Sequence, residues 1–90
     1  MYRLVFLGSA VRDLQKIDPA RQRIIKAKFL ILAENPAALK NQIKRLGGAQ
    51  EALFRLRVGS YRVVFKKEEN KLVILVIRIG HRKYVYFSLD

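Results

Sequence analysis

The segment 53–65, LFRLRVGSYRVVF, is the part of the chain that most restricts how it can fold. Two runs in which apolar and charged residues alternate flank Gly59-Ser60, and this is the pattern of a β-hairpin with one buried face. The buried face would carry Phe54, Leu56, Val58, Tyr61, Val63 and Phe65. A two-residue turn places Arg57 directly opposite Arg62 on the other face. Because like charges across a strand pair are destabilising unless an anion lies between them, the hairpin predicts a phosphate-binding surface.

Length and charge limit the classes of function. The chain has 90 residues, of which 51% are hydrophobic, so we expect a single domain spanning 1–90 with one modest core. A formal net charge of +12 favours a polyanionic partner such as nucleic acid, an anionic membrane surface or an acidic protein. Because the sequence contains no cysteine, it has no disulfides and no thiolate chemistry. The longest apolar run, 72–77, is too short to span a membrane and the N-terminus lacks a signal-peptide pattern, so we expect a cytoplasmic protein with no membrane partner.

The first part of the chain predicts a strand followed by two helices. Tyr2–Leu7 is rich in aromatic and β-branched residues and should form the strand, after which Ser9 is a suitable N-cap for a first helix. Asp18-Pro19 marks the start of a second helix, which should run to about Glu34 and stop at Asn35-Pro36. The spacing of its apolar residues predicts a buried face made by Ile25, Phe29 and Leu32.

The second part of the chain predicts a sheet. The segment 37–50 is irregular and is expected to place Leu39, Ile43 and Leu46 against the core from a helical turn or an extended loop. After the hairpin we expect a polar turn at 67–70 with Asn70 in the left-handed region, a strand at 71–79, a bend or bulge at Gly80, and a last strand at 84–87. The predicted fold is therefore α+β: an N-terminal strand, a two-helix hairpin and a three- to four-stranded antiparallel sheet, with the helices on one sheet face and the arginines on the other.

The residue types exclude metal-dependent chemistry and leave a cluster of cations. There is one histidine, and the scattered carboxylates have neither metal-ligand spacing nor the pairing that acid–base catalysis needs, so no metal or other cofactor is expected. The cluster comprises Arg55, Arg57, Arg62, His81, Arg82, Lys83 and Tyr86. Arginine can neutralise a phosphoryl group without a metal, and histidine titrates near neutral pH. His81 has an alternative role in a structural hydrogen bond, and Tyr84 and Tyr86 either stack on bases or pack at a sheet edge.

Several motifs together resemble one protein family. They are LGG at 46–48, FRLRVGSYRV at 54–63, IGHR at 79–82 and a closing Tyr86, and in this order and spacing they resemble the RelE/ParE toxin superfamily of type II toxin–antitoxin systems over essentially the whole chain. The resemblance implies a RelE-like fold. RelE-type members are endoribonucleases that enter the ribosomal A site and cut mRNA by attack of its own 2′-hydroxyl, without a metal. ParE-type members share the fold and poison DNA gyrase.

The resemblance also assigns roles to residues. Arg62 and Arg82 match the family's phosphate-stabilising arginines, and Tyr86 matches the tyrosine that orients the substrate base. Arg55 stands where RelE has a catalytic lysine, and Leu53 stands where RelE has a second basic residue. Proton transfer would then fall to His81 or Lys83. The residues expected to bind RNA are Lys44, Arg45, Arg55, Arg57, Arg78 and Lys83.

The retained arginines and tyrosine favour an mRNA interferase of the RelE type. Its expected partners are the ribosome, mRNA and a cognate antitoxin, the last in a heterotetramer or a larger complex. Two alternatives stay open: a ParE-like toxin that poisons gyrase, and a non-catalytic basic module held by an acidic antitoxin.

Overall fold

The computed structural model of the chain describes residues 1–46 and 53–85. The strands are β1 (Arg3–Phe6), β2 (Ile43–Arg45), β3 (Leu53–Val58), β4 (Tyr61–Glu68) and β5 (Val73–His81), and the α-helices are α1 (Gly8–Gln15) and α2 (Pro19–Glu34). The strands form one sheet in the order β1-β5-β4-β3-β2, in which β1 runs parallel to β5 and all other neighbours are antiparallel. The predicted α+β fold is confirmed: β2 to β5 form the antiparallel sheet, and the N-terminal strand extends it at one edge.

The core lies between the helices and one face of the sheet. As the alternation predicts, Leu56, Val58, Val63 and Phe65 are buried on this face, and Phe54 and Tyr61 pack against the same cluster. The α2 residues Ile25, Phe29 and Leu32 are also buried in the cluster, as their spacing predicts. The opposite face of β3 and β4 is therefore turned away from the helices.

The two helices begin in different ways. The Asp18 carboxylate caps α2 as predicted: it accepts a 3.3 Å hydrogen bond from the Arg21 N–H, and a proline occupies the first turn. The pKa of Asp18 is lowered, because the hydrogen bonds from the backbone and side chain of Arg21 outweigh a desolvation effect that acts to raise it. The predicted cap of α1 is wrong. That helix begins at Gly8, and Ser9 lies inside it and donates a 2.8 Å hydrogen bond to the carbonyl of Ile77.

Helix α1 continues the edge of the sheet where β1 ends. Strand β1 pairs with β5 only as far as Val76. Beyond that point Ser9 bonds the carbonyl of Ile77, and the Asp13 carboxylate accepts a 2.9 Å hydrogen bond from the N–H of Ile79. Side chains of a helix thus satisfy backbone groups that a neighbouring strand would otherwise pair.

Three predictions about the sheet are corrected. Within the segment 37–50, Leu39 and Ile43 pack at the core as predicted, but residues 43–45 form the edge strand β2, preceded by a 3₁₀ helix at Pro36–Leu39. The irregularity of β5 lies at Ile77, which is skipped in the pairing of β4 with β5, whereas Gly80 is inside the strand. The left-handed residue after β4 is Leu72, with φ 52°, and not Asn70.

The predicted strand 84–87 is also wrong where the structure describes it. After β5 the chain turns, and the N–H of Tyr84 donates a 2.9 Å hydrogen bond to the carbonyl of His81. The rest of that prediction, and Gly47-Gly48, fall outside the described residues. Over residues 1–46 and 53–85, no helix is long and apolar enough to cross a membrane.

Candidate functional site

The hairpin turn sets the geometry of the cationic residues. Gly59 has φ 60°, and Ser60 does not share the positive φ, which is the pattern of a type II′ turn with glycine in its first central position. This turn matches the twist of the two strands and joins them with no extra residue. Arg57 is consequently the direct cross-strand partner of Arg62, as the sequence predicts.

The sheet face that is turned away from the helices carries several cations, and four of them lie at paired positions of β2, β3 and β4. Side chains alternate along each strand, so Arg55, Arg57 and Arg62 lie opposite the buried positions. Strand β2 adds Lys44, which is paired with Arg55 and therefore lies on the same face. We call the surface formed by Lys44, Arg55, Arg57 and Arg62 the arginine face. Its charges are of one sign, as expected for a surface that binds a polyanion.

Backbone carbonyl groups hold two of these guanidinium groups. Nη1 of Arg62 donates hydrogen bonds of 2.8 and 2.9 Å to the carbonyls of Gly59 and Tyr61 in the turn. Nη1 of Arg55 donates a 3.0 Å bond to the carbonyl of Gln42, just before β2. A carbonyl accepts a hydrogen bond without carrying a net charge, so these contacts position the two guanidinium groups on the arginine face.

The end of β5 returns the chain to the arginine face. Gly80 is the cross-strand partner of Arg62, so position 80 lies on the arginine face. A Cβ atom at Gly80 would lie 3.3 Å from Cβ of Val85, which is 3% exposed. Val85 therefore covers Gly80 next to Arg62, and this close approach is the physical reason for a glycine at that position.

The turn between β5 and Val85 carries further cations. The N–H of Arg82 donates a 2.8 Å hydrogen bond to the carbonyl of Ser60, which ties this turn to the hairpin that bears Arg62. Arg82 and Lys83 are both exposed. The structure thus brings Arg82 to the same end of the sheet as Arg62, which the sequence expectation requires.

His81 lies on the other side of the sheet from Arg62. It is paired with Tyr61, which packs against the core, so its side chain leaves the strand on the helix side. The His81 ring meets the Tyr61 ring edge-on, with centroids 6.0 Å apart. Its Nδ1 accepts a 3.2 Å hydrogen bond from the N–H of Lys83. Sequence reasoning places His81 among the groups at the phosphate, and the strand register separates it from them.

Arg78 is held by a carboxylate. Its Nη2 donates a 3.1 Å hydrogen bond to Asp13 Oδ1, and its Nε lies 2.9 Å from Asp13 Oδ2 in an ionic contact that is off the hydrogen-bond axis. Only 11% of the Asp13 side chain is exposed. Arg78 points toward the arginine face by register, and this ion pair neutralises its charge.

Two further predicted residues lie in different places. Arg45 is exposed on the edge strand β2, beside Lys44, and Tyr86 lies outside the described residues. Within the described part of the chain, no group of three or more His, Cys, Asp or Glu side chains is arranged to hold a metal ion.

Sequence reasoning missed the strand β2 and the role of Asp13. The only signal for β2 was the alternation of an apolar and a basic residue over Ile43-Lys44, which is too short to separate a strand from a loop. No local signal marks Asp13, because its partner Arg78 is 65 positions away.

The fold and the arginine face define a class of small basic toxin domains. The chain superposes on the archaeal RelE–RelB complex from Pyrococcus horikoshii OT3 with a TM-score of 0.78 and 26% identity, covering 92% of this chain and 97% of that one. It superposes on the toxin–antitoxin complex RelBE2 from Mycobacterium tuberculosis with a TM-score of 0.75 and 26% identity, covering 90% and 98%.

Sequence comparison assigns the family. The family model described as "ParE toxin of type II toxin-antitoxin system, parDE" matches residues 4–86, and the chain belongs to this toxin family. Toxin RelG of Mycobacterium tuberculosis strain H37Rv is 26% identical over 87 residues, 94% of this chain and 95% of that protein. The mRNA interferase toxin RelE of Escherichia coli K12 is 26% identical over 82 residues, 91% of this chain and 84% of that protein. The resemblance to the RelE/ParE superfamily is thereby confirmed.

Proposed function

We propose that this toxin is a ribosome-dependent endoribonuclease that cuts mRNA in the A site without a metal ion. The observation that carries the proposal is the direct pairing of Arg57 with Arg62 on one sheet face, beside Arg55 and Lys44. Such a placement of like charges is unfavourable in an isolated fold and becomes favourable when a phosphate lies between them. A relative with 26% identity is named an mRNA interferase, and this supports the reaction class.

The proposed reaction is an internal transesterification. The 2′-oxygen of the message attacks the neighbouring phosphorus, a 2′-O–P bond forms, and the bond from phosphorus to the 5′-oxygen of the next nucleotide breaks. The products are a 2′,3′-cyclic phosphate and a 5′-hydroxyl. Negative charge grows on the non-bridging phosphate oxygens in the transition state, and fixed cations that contact these oxygens lower the barrier.

We assign the charge stabilisation to Arg62 and Arg82, which the turns of the hairpin and of the C-terminal segment bring to one end of the sheet. Lys83 follows Arg82 and is exposed, and its ammonium group can donate a proton to the leaving 5′-oxygen. The proton of the 2′-hydroxyl passes to water. His81 acts as a positioning residue, because its ring faces the helix side and its Nδ1 holds the N–H of Lys83.

The remaining predicted residues have supporting roles. Arg55 and Arg57 hold the phosphates on either side of the scissile one, Lys44 and Arg45 extend this contact along the edge strand, and Tyr86 stacks on the substrate base. A toxin of this kind is proposed to act in the cytoplasm, where it meets translating ribosomes.

We further propose that a cognate antitoxin holds the toxin through an apolar cleft between β1, α1 and α2. Phe6, Val11 and Leu30 line this cleft and are 38%, 43% and 70% exposed, and Lys26 lies at its rim. An amphipathic segment with acidic flanks matches an apolar surface on a chain of net charge +12. The two solved structures described above, which this chain resembles, are toxin–antitoxin complexes.

The test is induced expression of the wild-type chain beside the single variants Arg62→Ala and Arg82→Ala and the double variant. Arg23→Ala is the matched control, because Arg23 is an exposed arginine on α2, which packs on the other side of the sheet from the arginine face. Growth arrest and cleavage of mRNA on translating ribosomes are scored together. Wild type and the control should arrest growth and cut mRNA, and the double variant should do neither. Arrest that persists in the double variant would contradict the proposal.

The ParE name of the matching family model favours one second candidate, which is poisoning of DNA gyrase. The same cultures distinguish it. Arrest with replication defects and intact mRNA would indicate gyrase, whereas no arrest by the wild-type chain would indicate a non-catalytic binding module.

A further inference from the structure

The turn after β5 carries an exposed aromatic ring that contacts a second ring. Tyr84 is 66% exposed, and its ring centroid lies 6.0 Å from that of His81, with the two planes tilted by 45°. The His81 ring in turn meets Tyr61 edge-on, and Tyr61 packs against the core. Three rings therefore form a continuous chain from the core to the surface, and the outermost ring is largely exposed to solvent.

Backbone hydrogen bonds fix this turn. The N–H of Tyr84 donates to the carbonyl of His81 at 2.9 Å, and the N–H of Lys83 donates to His81 Nδ1 at 3.2 Å. The N–H of Arg82 donates to the carbonyl of Ser60 in the hairpin. An isolated exposed aromatic residue is common on protein surfaces and by itself indicates nothing. An aromatic side chain on a turn that hydrogen bonds hold in place loses less conformational entropy when a flat ligand stacks on it.

The position of the turn relates the ring to the arginine face. The side chain of His81 leaves the sheet on the helix side, whereas Val85 covers Gly80 on the arginine face. Residues 82–84 therefore pass around the end of the sheet from one side to the other, and they carry two exposed cations, Arg82 and Lys83, directly before the tyrosine. A single-stranded nucleic acid that lies along the arginine face and passes over this end of the sheet would contact first Arg82 and Lys83 and then the Tyr84 ring.

We propose that Tyr84, supported by His81, is a stacking site for an unpaired base of single-stranded RNA, with Arg82 and Lys83 holding the adjoining phosphates. An aromatic ring beside two cations is the arrangement that binds unpaired nucleotides, because the ring stacks on the base and the cations contact the phosphates. An acidic peptide would contact the cations but would offer no flat group to stack on the ring. This subsite rests on the proposed function, because it adds the recognition of a nucleotide next to the one that is cut.

The experiment measures binding of the full-length chain to a hexaribonucleotide that has one 2-aminopurine base and 2′-O-methyl groups throughout, so that it cannot be cleaved. The wild-type chain should bind it and quench the 2-aminopurine fluorescence. Tyr84→Phe should bind like wild type, and Tyr84→Ala should bind about 5- to 150-fold more weakly with loss of quenching. Ile31→Ala, at a 38% exposed apolar position on α2 outside the apolar cleft, is the control and should leave binding unchanged.

Several results would overturn the inference: no binding by the wild-type chain, wild-type affinity in Tyr84→Ala, or an equal loss in Tyr84→Phe. If Tyr84→Ala weakens binding of the antitoxin and leaves RNA binding intact, the surface belongs to a protein partner and the inference fails. Failure of this inference can be distinguished from failure of the proposed function, because RNA binding and mRNA cleavage are measured separately. A chain that binds RNA through Tyr84 but cuts no mRNA on ribosomes retains the stacking site and loses the proposed activity.

Discussion

The contact between Gly80 and Val85 predicts that a larger residue at position 80 disables the toxin without unfolding it. A Cβ atom at Gly80 would already be 3.3 Å from Cβ and 3.5 Å from Cγ2 of Val85. In Gly80→Val two further methyl groups would need the space that Val85 occupies, so Val85 must leave the arginine face. Position 80 has no positive φ, and valine suits a strand, so β5 itself should tolerate the change.

The loss of stability follows from the burial of one side chain. Val85 is 3% exposed, and exposing a buried valine costs about 1.5 to 3 kcal/mol. Replacing glycine reduces the entropy of the unfolded chain and offsets about 0.4 to 1 kcal/mol of this. The net destabilisation is about 1 to 2 kcal/mol, which lowers Tm by about 5 to 15 °C in a domain of this size. The variant should remain folded at room temperature.

The rate of mRNA cleavage should fall by more than the loss of folding stability alone would explain. The displaced segment carries Arg82, and a displacement of about 1 Å at a catalytic group costs on the order of a hundredfold in rate. Thermal unfolding by circular dichroism and cleavage of mRNA on translating ribosomes measure the two effects separately. Gly80→Ala, which needs Val85 to move by only a few tenths of an ångström, should lie between wild type and Gly80→Val in both assays. If Gly80→Val keeps the wild-type Tm and cleavage, Val85 does not cover Gly80 and the reasoning is refuted.

Three other substitutions test separate parts of the structure. Asp13→Ala leaves the partly buried Arg78 without its carboxylate and should cost about 3 kcal/mol in urea unfolding, while a change near zero would show that the pair is not formed. Leu30→Asp places a charge at a 70% exposed position of the apolar cleft; it should keep the stability and toxicity of wild type and abolish neutralisation in co-expression with the antitoxin, and unaffected neutralisation would place the antitoxin elsewhere. The Asp18 carboxylate has a lowered pKa in the fold, so its stabilisation is complete above the unfolded value of about 3.9 and is lost as the pH falls through the lower folded value. Thermal melts of Asp18→Asn across acidic pH should lack this component, and a pH profile equal to that of wild type would contradict the assignment.

Local patterns account for the parts of the fold that could be predicted. The hairpin was predictable because alternation defines its faces and Gly59-Ser60 permits a two-residue turn, and together they determine the register that pairs Arg57 with Arg62. Helix α2 was predictable because Asp18 and the following proline are a strong start signal. Each of these features depends on residues that are close in sequence.

The parts that could not be predicted depend on contacts between distant residues. The bulge at Ile77 and the bond from Ser9 to its carbonyl exist because α1 replaces β1 along the edge of β5, and no local signal shows this. The side of the sheet to which His81 points depends on the register between β4 and β5 after that bulge. The one extra residue in the bulge moves every later side chain of β5 to the opposite sheet face. The sequence alone therefore did not show that His81 and Arg62 lie on opposite faces.

The most direct test of the account is the cleavage of mRNA by purified translating ribosomes with the wild-type chain, Arg62→Ala, Arg82→Ala and the control Arg23→Ala. Each arginine variant should stay folded, because neither arginine is fully buried, and should cut about a hundred- to a thousandfold more slowly. The control should cut at the wild-type rate. Wild-type cleavage by a folded Arg62→Ala/Arg82→Ala double variant would contradict the claim that the arginine face and the turn beside it carry the reaction.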